Sequence, residues 1–219
     1  MTTRTSFHGQ LNELQRDLLK MGYFVSDAIQ RSVTSLANLD MALARQVIEG
    51  DDTADQMLID IEKRCLQLMA LQQPMAGDLR AIGTALKIVT DLERMADHAT
   101  DIAKVTLKLE GEKLIRELVL IPRMAQRVVA MTQEALEAFV ARDVERAKQM
   151  IAMDDEIDQI YGQVFDRIME IMQTQSKHVR QATYLLLVAM FLERVGDHAT
   201  NLGEWTIYMV TGELKDMNP

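Results

Sequence analysis

One cysteine, three prolines and a single tryptophan occur in the 219 residues of this chain. A lone cysteine, Cys65, cannot form an intrachain disulfide, which fits a reducing cytosol. It reads as a small core residue. Scarce proline and few aromatics, beside many Met, Leu, Ile and Ala, favour helix over sheet. Positive charge is also short. The formal charge is −9, which argues against sequence-independent nucleic-acid binding, because phosphate contacts need a basic surface. No apolar run follows Arg4, so the N-terminal stretch MTTRTSFHGQLNEL is not read as a secretory signal. The longest apolar run, Tyr184 to Leu192, is too short to span a bilayer and reads as a buried helix segment.

What is present is a repeat. Leu92–Asp101, LERMADHATD, recurs as LERVGDHATN at Leu192–Asn201, displaced by 100 residues and identical at seven of ten positions. A second match, VIEGDDTAD at 47–55 against MIAMDDEID at 150–158, has an offset of 103. The chain is therefore read as two copies of one unit, residues 1–111 and 112–219. Helical periodicity runs almost end to end. Leu11, Leu14, Leu18, Met21, Val25, Ile29, Val33 and Leu36 form one core-facing stripe. Ser35–Asp40 reads as a turn. A second helix runs on to Leu71 and ends at Gln72-Gln73-Pro74. A third runs from about Met75 to about Glu110, with Gly111 as its stop. In the second copy, helices are expected from about Leu118 to Ala141, after Arg142-Asp143 to about Gln173, and from about Lys177 to Thr211, closed by Gly212. The fold class is all-α, with six long antiparallel helices in two tandem three-helix bundles.

The repeat places Glu93 and Asp97, and Glu193 and Asp197, four residues apart on one helix face. Asp101 and Asn201 follow one turn later. Ile82, Leu86 and Val89 lie within about 40° of Glu93 around the helix, so the acids continue the apolar stripe instead of opposing it. Asp51/Asp55 and Asp154/Asp158 form a further acidic pair in each copy. Carboxylates gathered at the edge of a core need a cation, a shared proton or a basic partner. Oxygen-only clusters suit hard ions such as Mg²⁺, Ca²⁺, Mn²⁺ or Fe³⁺. All ten residues are candidate metal ligands. The first-repeat site is expected to be the tighter one, because Asp101 carries a charge that Asn201 lacks. A salt-bridged or solvated acidic face is the alternative. Arg94 and Arg194 are expected to point about 100° away from Glu93 and Glu193. His98 and His198 lie about 140° away and read as packing or surface residues. No Glu-x-x-His, His-Glu-x-x-His, phosphate-binding Gly-rich loop or nucleophile–base pair occurs, so no catalytic residues are assigned.

These segments, with LQLMALQQPMAGDLRAI and LKIVTDLERMADHATDIA in the first half and DDEID and FLERVGDHATNLGE in the second, resemble the PhoU family over essentially the whole chain. The family's Glu/Asp-x-x-x-Asp motif falls on Glu93/Asp97 and Glu193/Asp197. The resemblance implies a non-enzymatic, cytoplasmic regulator of phosphate uptake. Such a regulator acts with the ATPase subunit PstB of the phosphate ABC transporter and with the sensor histidine kinase PhoR. It restrains the phosphate-starvation response when phosphate is plentiful, and touches the membrane only through its partners. A homodimer is the expected assembly. The resemblance also implies multinuclear metal clusters, iron first, with manganese, magnesium, calcium and zinc as alternatives. Two other readings are a metal-dependent carboxylate-bridged hydrolase or oxidase, and a metal-free helical scaffold.

Overall fold

The structure, a computed structural model, describes residues 3–72, 74–115 and 120–213. Met1, Gln73 and the expected helix start at Leu118 lie outside the described residues. In order, the helices are α1 (Thr3–Asn38), α2 (Met41–Glu49), α3 (Asp51–Gln72), α4 (Ala76–Lys108), α5 (Leu120–Ala141), α6 (Val144–Ile151), α7 (Asp154–Thr174) and α8 (Val179–Thr211). A 3-10 turn at Ser176–His178 leads into α8. No strand occurs among the described residues.

The duplication is visible in the backbone. Leu39 and Arg142 both take positive φ, 49° and 54°. The next residues, Asp40 and Asp143, cap α2 and α6 by accepting from the Leu43 and Arg146 amides. That satisfies a donor the helix start would otherwise leave open. Gly111 and Gly212 both adopt φ near +78°, the left-handed conformation that only glycine enters without strain.

The middle helix of each half differs from the expected single rod. It breaks at Gly50 in the first half and at Ala152–Met153 in the second. Glycine is not the shared cause, since the second break has none. What the breaks share is an acidic run just after them. Asp51 and Asp52 open α3, and Asp154, Asp155 and Glu156 open α7. A fresh N-terminus stabilises negative charge through its exposed amides and dipole.

Helices α4 and α8 lie against each other at the centre. They run antiparallel, because Arg80 Nε donates to the Met209 carbonyl (3.4 Å) and Arg180 Nη2 donates to the Lys108 carbonyl (2.9 Å). These two bonds are near-equivalents under the 100-residue offset, so the halves are related by a pseudo-two-fold axis between α4 and α8. Helix α1 packs on α4 and α5, α5 on α8, α3 on α4, and α7 on α8. One continuous apolar core joins both halves, from Leu14 and Leu18 of α1 through Leu92 of α4 to Leu192 of α8. Cys65 is inside it, and burial pushes its thiol up to about 12, a reading consistent with packing and not with reactivity. No described helix is long and apolar enough to cross a membrane.

Candidate functional site

The motif turns of α4 and α8 meet near the pseudo-two-fold axis, and each is backed by the acidic start of α3 or α7. In the first repeat the Glu93 side chain is only 16% exposed. Its carboxyl is held above the usual range, first by burial, then by Asp97, with Asp55 and Asp51 adding and Arg94 opposing. The second repeat does the same. Glu193 is raised by burial, then by Asp197 and Asp158, with Arg194 opposing and Asp154 adding. Asp197 is raised by burial, offset in part by His198. The acids of α3 and α7 thus act on the motif carboxylates across the helix pairs.

Other expected ligands are engaged elsewhere. Asp101 is paired with Lys104 at 3.1 Å. Asn201 Nδ2 donates to Asp91 Oδ1 at 3.1 Å. Asp51 accepts from Thr100 Oγ1 at 3.1 Å. Arg94 does not point away as a helical wheel suggests. Its long side chain folds back, placing Nη1 3.1 Å from Asp97 and Nε 3.5 Å from Glu93. Flexible stems of this kind reach well beyond their radial direction. Among the described residues, no group of three or more His, Cys, Asp or Glu side chains closes into metal-binding geometry.

Carboxylate oxygens are the donor type that a hard cation takes, and one buried hydroxyl beside the second-repeat acids is left over. There Thr200 is 3% exposed, and its buried Oγ1 has no hydrogen-bond partner among the described residues. Gly196 lets α7 pack closely on α8, since a Cβ built on it would stand 3.0 Å from Asp154 Oδ1 and 3.3 Å from Ile157 Cδ1. In the first repeat Ala96 occupies the matching position.

His98 and His198 meet across the axis, with ring centroids 5.8 Å apart. They pack, but unequally. His198 Nδ1 lies 2.9 Å from Asp91 Oδ1, whereas His98 stacks on Phe191 at 5.7 Å. Positions 91 and 191 are equivalents, so the two-fold is broken by a carboxylate facing a phenyl ring. The His98 Nδ1 is buried and unpartnered among the described residues. Burial first, then His198 and Arg194, hold the His98 ring below its usual range against the pull of Asp101 and Asp97. Sequence reasoning overlooked Asp91, although extending the repeat by one residue toward the N-terminus exposes the Asp91/Phe191 mismatch. An open groove of about 630 Å³ runs between the helices, lined by both histidines, both arginines, Asp97, Asp197, Asp101 and Lys104.

A duplicated all-helical bundle whose two central helices bring paired acidic turns together defines the class of protein. The chain belongs to the PhoU family, whose PhoU domain matches residues 18–106 and 121–206. It is 40% identical to a phosphate-specific transport system accessory protein PhoU homolog of Clostridium acetobutylicum, across 99% of both chains. The homolog of Aquifex aeolicus is 38% identical over 94% of this chain and 93% of its own length. The fold matches the crystal structure of the phosphate transport system regulatory protein PhoU from Streptococcus pneumoniae. That match has a TM-score of 0.90 and 31% identity over 96% of this chain and 100% of the other. PhoU from Pseudomonas aeruginosa matches with a TM-score of 0.89 and 34% identity, over 94% of this chain and 100% of that one.

Proposed function

We propose that this chain is a non-enzymatic regulator of phosphate uptake. It links the ATPase subunit of a phosphate ABC transporter to a sensor histidine kinase, and it holds the starvation response off while phosphate is plentiful. The observation that carries this reading is full-length likeness to proteins named as accessory and regulatory components of phosphate transport.

In the same reading, the acidic turns hold hard cations, iron first. Glu93, Asp97, Asp51 and Asp55 serve one repeat, and Glu193, Asp197, Asp154 and Asp158 the other. Such an ion supplies charge compensation for carboxylates that burial and mutual repulsion push toward protonation. Asp101 and Asn201 join only if they leave Lys104 and Asp91.

Deleting the gene from a strain without a second copy is the direct test. Phosphate-starvation genes are expected to switch on in phosphate-rich medium, and the tagged chain is expected to retain the transporter ATPase and the kinase from phosphate-replete cells. Unchanged repression would overturn the regulatory role. A phosphatase or oxidase activity rising with bound metal would replace it with an enzyme.

A further inference from the structure

We propose that the outer face of α7 is a docking surface for a basic amphipathic helix of a partner protein. The helix seats on Phe165 and Met169 and is steered by Asp155 and Asp166. The surface shares no residue with the cation reading above.

Helix α7 packs inward on α5 and α8, and Ile157, Ile160, Val164, Ile168 and Ile171 are its buried stripe. The opposite side carries a second apolar pair that the core does not use. Phe165 is 41% exposed and Met169 36%. One turn before Phe165, a Cβ built on Gly162 would touch nothing, so a partner side chain can lie on bare backbone there. At 100° per residue, Asp155, Gly162, Phe165, Asp166 and Met169 share a face about 100° wide, and all five are exposed. A helix on a protein surface ordinarily keeps polar residues opposite its core stripe. An aromatic and a methionine four residues apart are what a helix-binding surface presents.

The face recurs in the duplication. The 103-residue offset carries Ile61, Cys65 and Leu68 onto Val164, Ile168 and Ile171, all buried. The same offset carries Ile59 onto Gly162 and Leu66 onto Met169, and Ile59 and Leu66 are exposed on α3. Single exposed apolar residues are ordinary, whereas an exposed face kept in both copies is not a chance of one helix. The copies differ in what surrounds it. Glu62 and Lys63 stand on α3 where α7 has Phe165 and Asp166, so only α7 joins an aromatic anchor to acids of one sign.

Charge selects the occupant. Bases near α7 are engaged within the chain, Arg123 and Arg127 on Glu156 and Arg167 on Glu170. Asp155 and Asp166 form no ion pair among the described residues. A second copy meeting this face with its own α7 sets these acids against each other, and with its α3 it offers Lys63 beside Asp52 and Glu62. An anionic lipid surface is repelled for the same reason. A helix that carries Lys or Arg beside its apolar stripe gains both the apolar burial and the attraction.

The test uses the full chain and a fluorescein-labelled peptide about five helical turns long, with Leu at core spacing and Lys elsewhere. Binding is read by anisotropy, against an otherwise identical peptide with Glu in place of Lys. Wild type is expected to bind the Lys peptide about tenfold more tightly than the Glu peptide or better. Phe165→Ser and Met169→Ser, which change no charge, should each weaken it by about fivefold or more. Asp166→Lys should weaken it and flatten its salt dependence. Tyr23→Ser, at an exposed aromatic on α1, should leave binding unchanged, and circular dichroism checks that every variant stays helical. If Phe165→Ser and Met169→Ser bind the Lys peptide as wild type does, charge alone holds it and the surface is wrong. A wild-type dimer in sedimentation velocity that Met169→Ser makes monomeric would give the face to a second copy. Binding to phosphatidylglycerol vesicles that Met169→Ser abolishes would give it to lipid. Either result overturns the proposal, while the regulatory reading is decided separately by the gene deletion.

Discussion

His198 Nδ1 donates to Asp91 Oδ1 across the α4–α8 interface at 2.9 Å, and the same oxygen accepts from Asn201 Nδ2 at 3.1 Å. The ionised carboxylate only accepts, so this bond fixes the His198 proton on Nδ1. Asp91 is 14% exposed on its side chain, and it ties two turns of α8 to α4. Asp91→Ala leaves both donors without their acceptor in a half-buried site. The expected cost is about 1.5–3 kcal/mol, the range for bonds to a charged group. Urea unfolding should show it as a lower midpoint. A loss below about 0.5 kcal/mol would mean that water replaces Asp91.

The pH dependence of the metal-free chain should carry two opposing signs. Glu93, Glu193 and Asp197 have folded pKa values raised above their unfolded ones. Their burial, with repulsion from neighbouring carboxylates, costs stability above the folded values, and the cost is relieved as pH falls through them toward the unfolded values. His98 is lowered. It favours the neutral ring, so the fold loses stability as pH drops below the ordinary histidine range of about 6.5. Glu193→Gln should therefore raise stability at neutral pH, by under about 1 kcal/mol because the group is part-exposed and screened. The gain should vanish in mild acid. A midpoint that falls in Glu193→Gln at neutral pH would show that the carboxylate is stabilising where it stands.

The continuous core makes a claim about cooperativity. Leu92 and Leu192 are fully buried repeat equivalents, on the helices that join the halves. Leu92→Ala and Leu192→Ala should each cost about 2–5 kcal/mol, as large-to-small changes in packed cores do. Each should shift one unfolding transition of the whole chain. Two calorimetric transitions, with only one moved by each variant, would show that the repeats unfold separately.

Much of this was legible because the chain states its plan twice. The offsets of 100 and 103 locate matching helices and matching acids, and glycine at positions 111 and 212 marks two helix ends. What stayed hidden has physical reasons. The break at Ala152 carries neither glycine nor proline, so local propensity gives no sign of it. Arg94 was misplaced because a helical wheel treats a long flexible stem as a radial vector. The pairing of Asp101 with Lys104 at i, i+3 was readable from spacing, whereas the unequal environments of His98 and His198 depend on α4 and α8 running antiparallel, a long-range fact.

Gly196 allows the close packing of α7 on α8 to be tested by stability alone. Gly196→Ala gains helix propensity of about 1 kcal/mol. Against that, its Cβ would stand 3.0 Å from Asp154 Oδ1 and 3.3 Å from Ile157 Cδ1, and overpacking of this kind costs about 1–3 kcal/mol. The first repeat shows how the conflict resolves. Ala96 is accommodated there, with Asp51 half-buried and bonded to Thr100. Asp154 should move outward to a similar position in the variant. The propensity gain then offsets much of the packing cost, and the net change should stay within about 1 kcal/mol of zero. Thermal unfolding of the metal-free variant measures this. A loss above about 3 kcal/mol would mean that Asp154 cannot move and that the second repeat is locked by its burial.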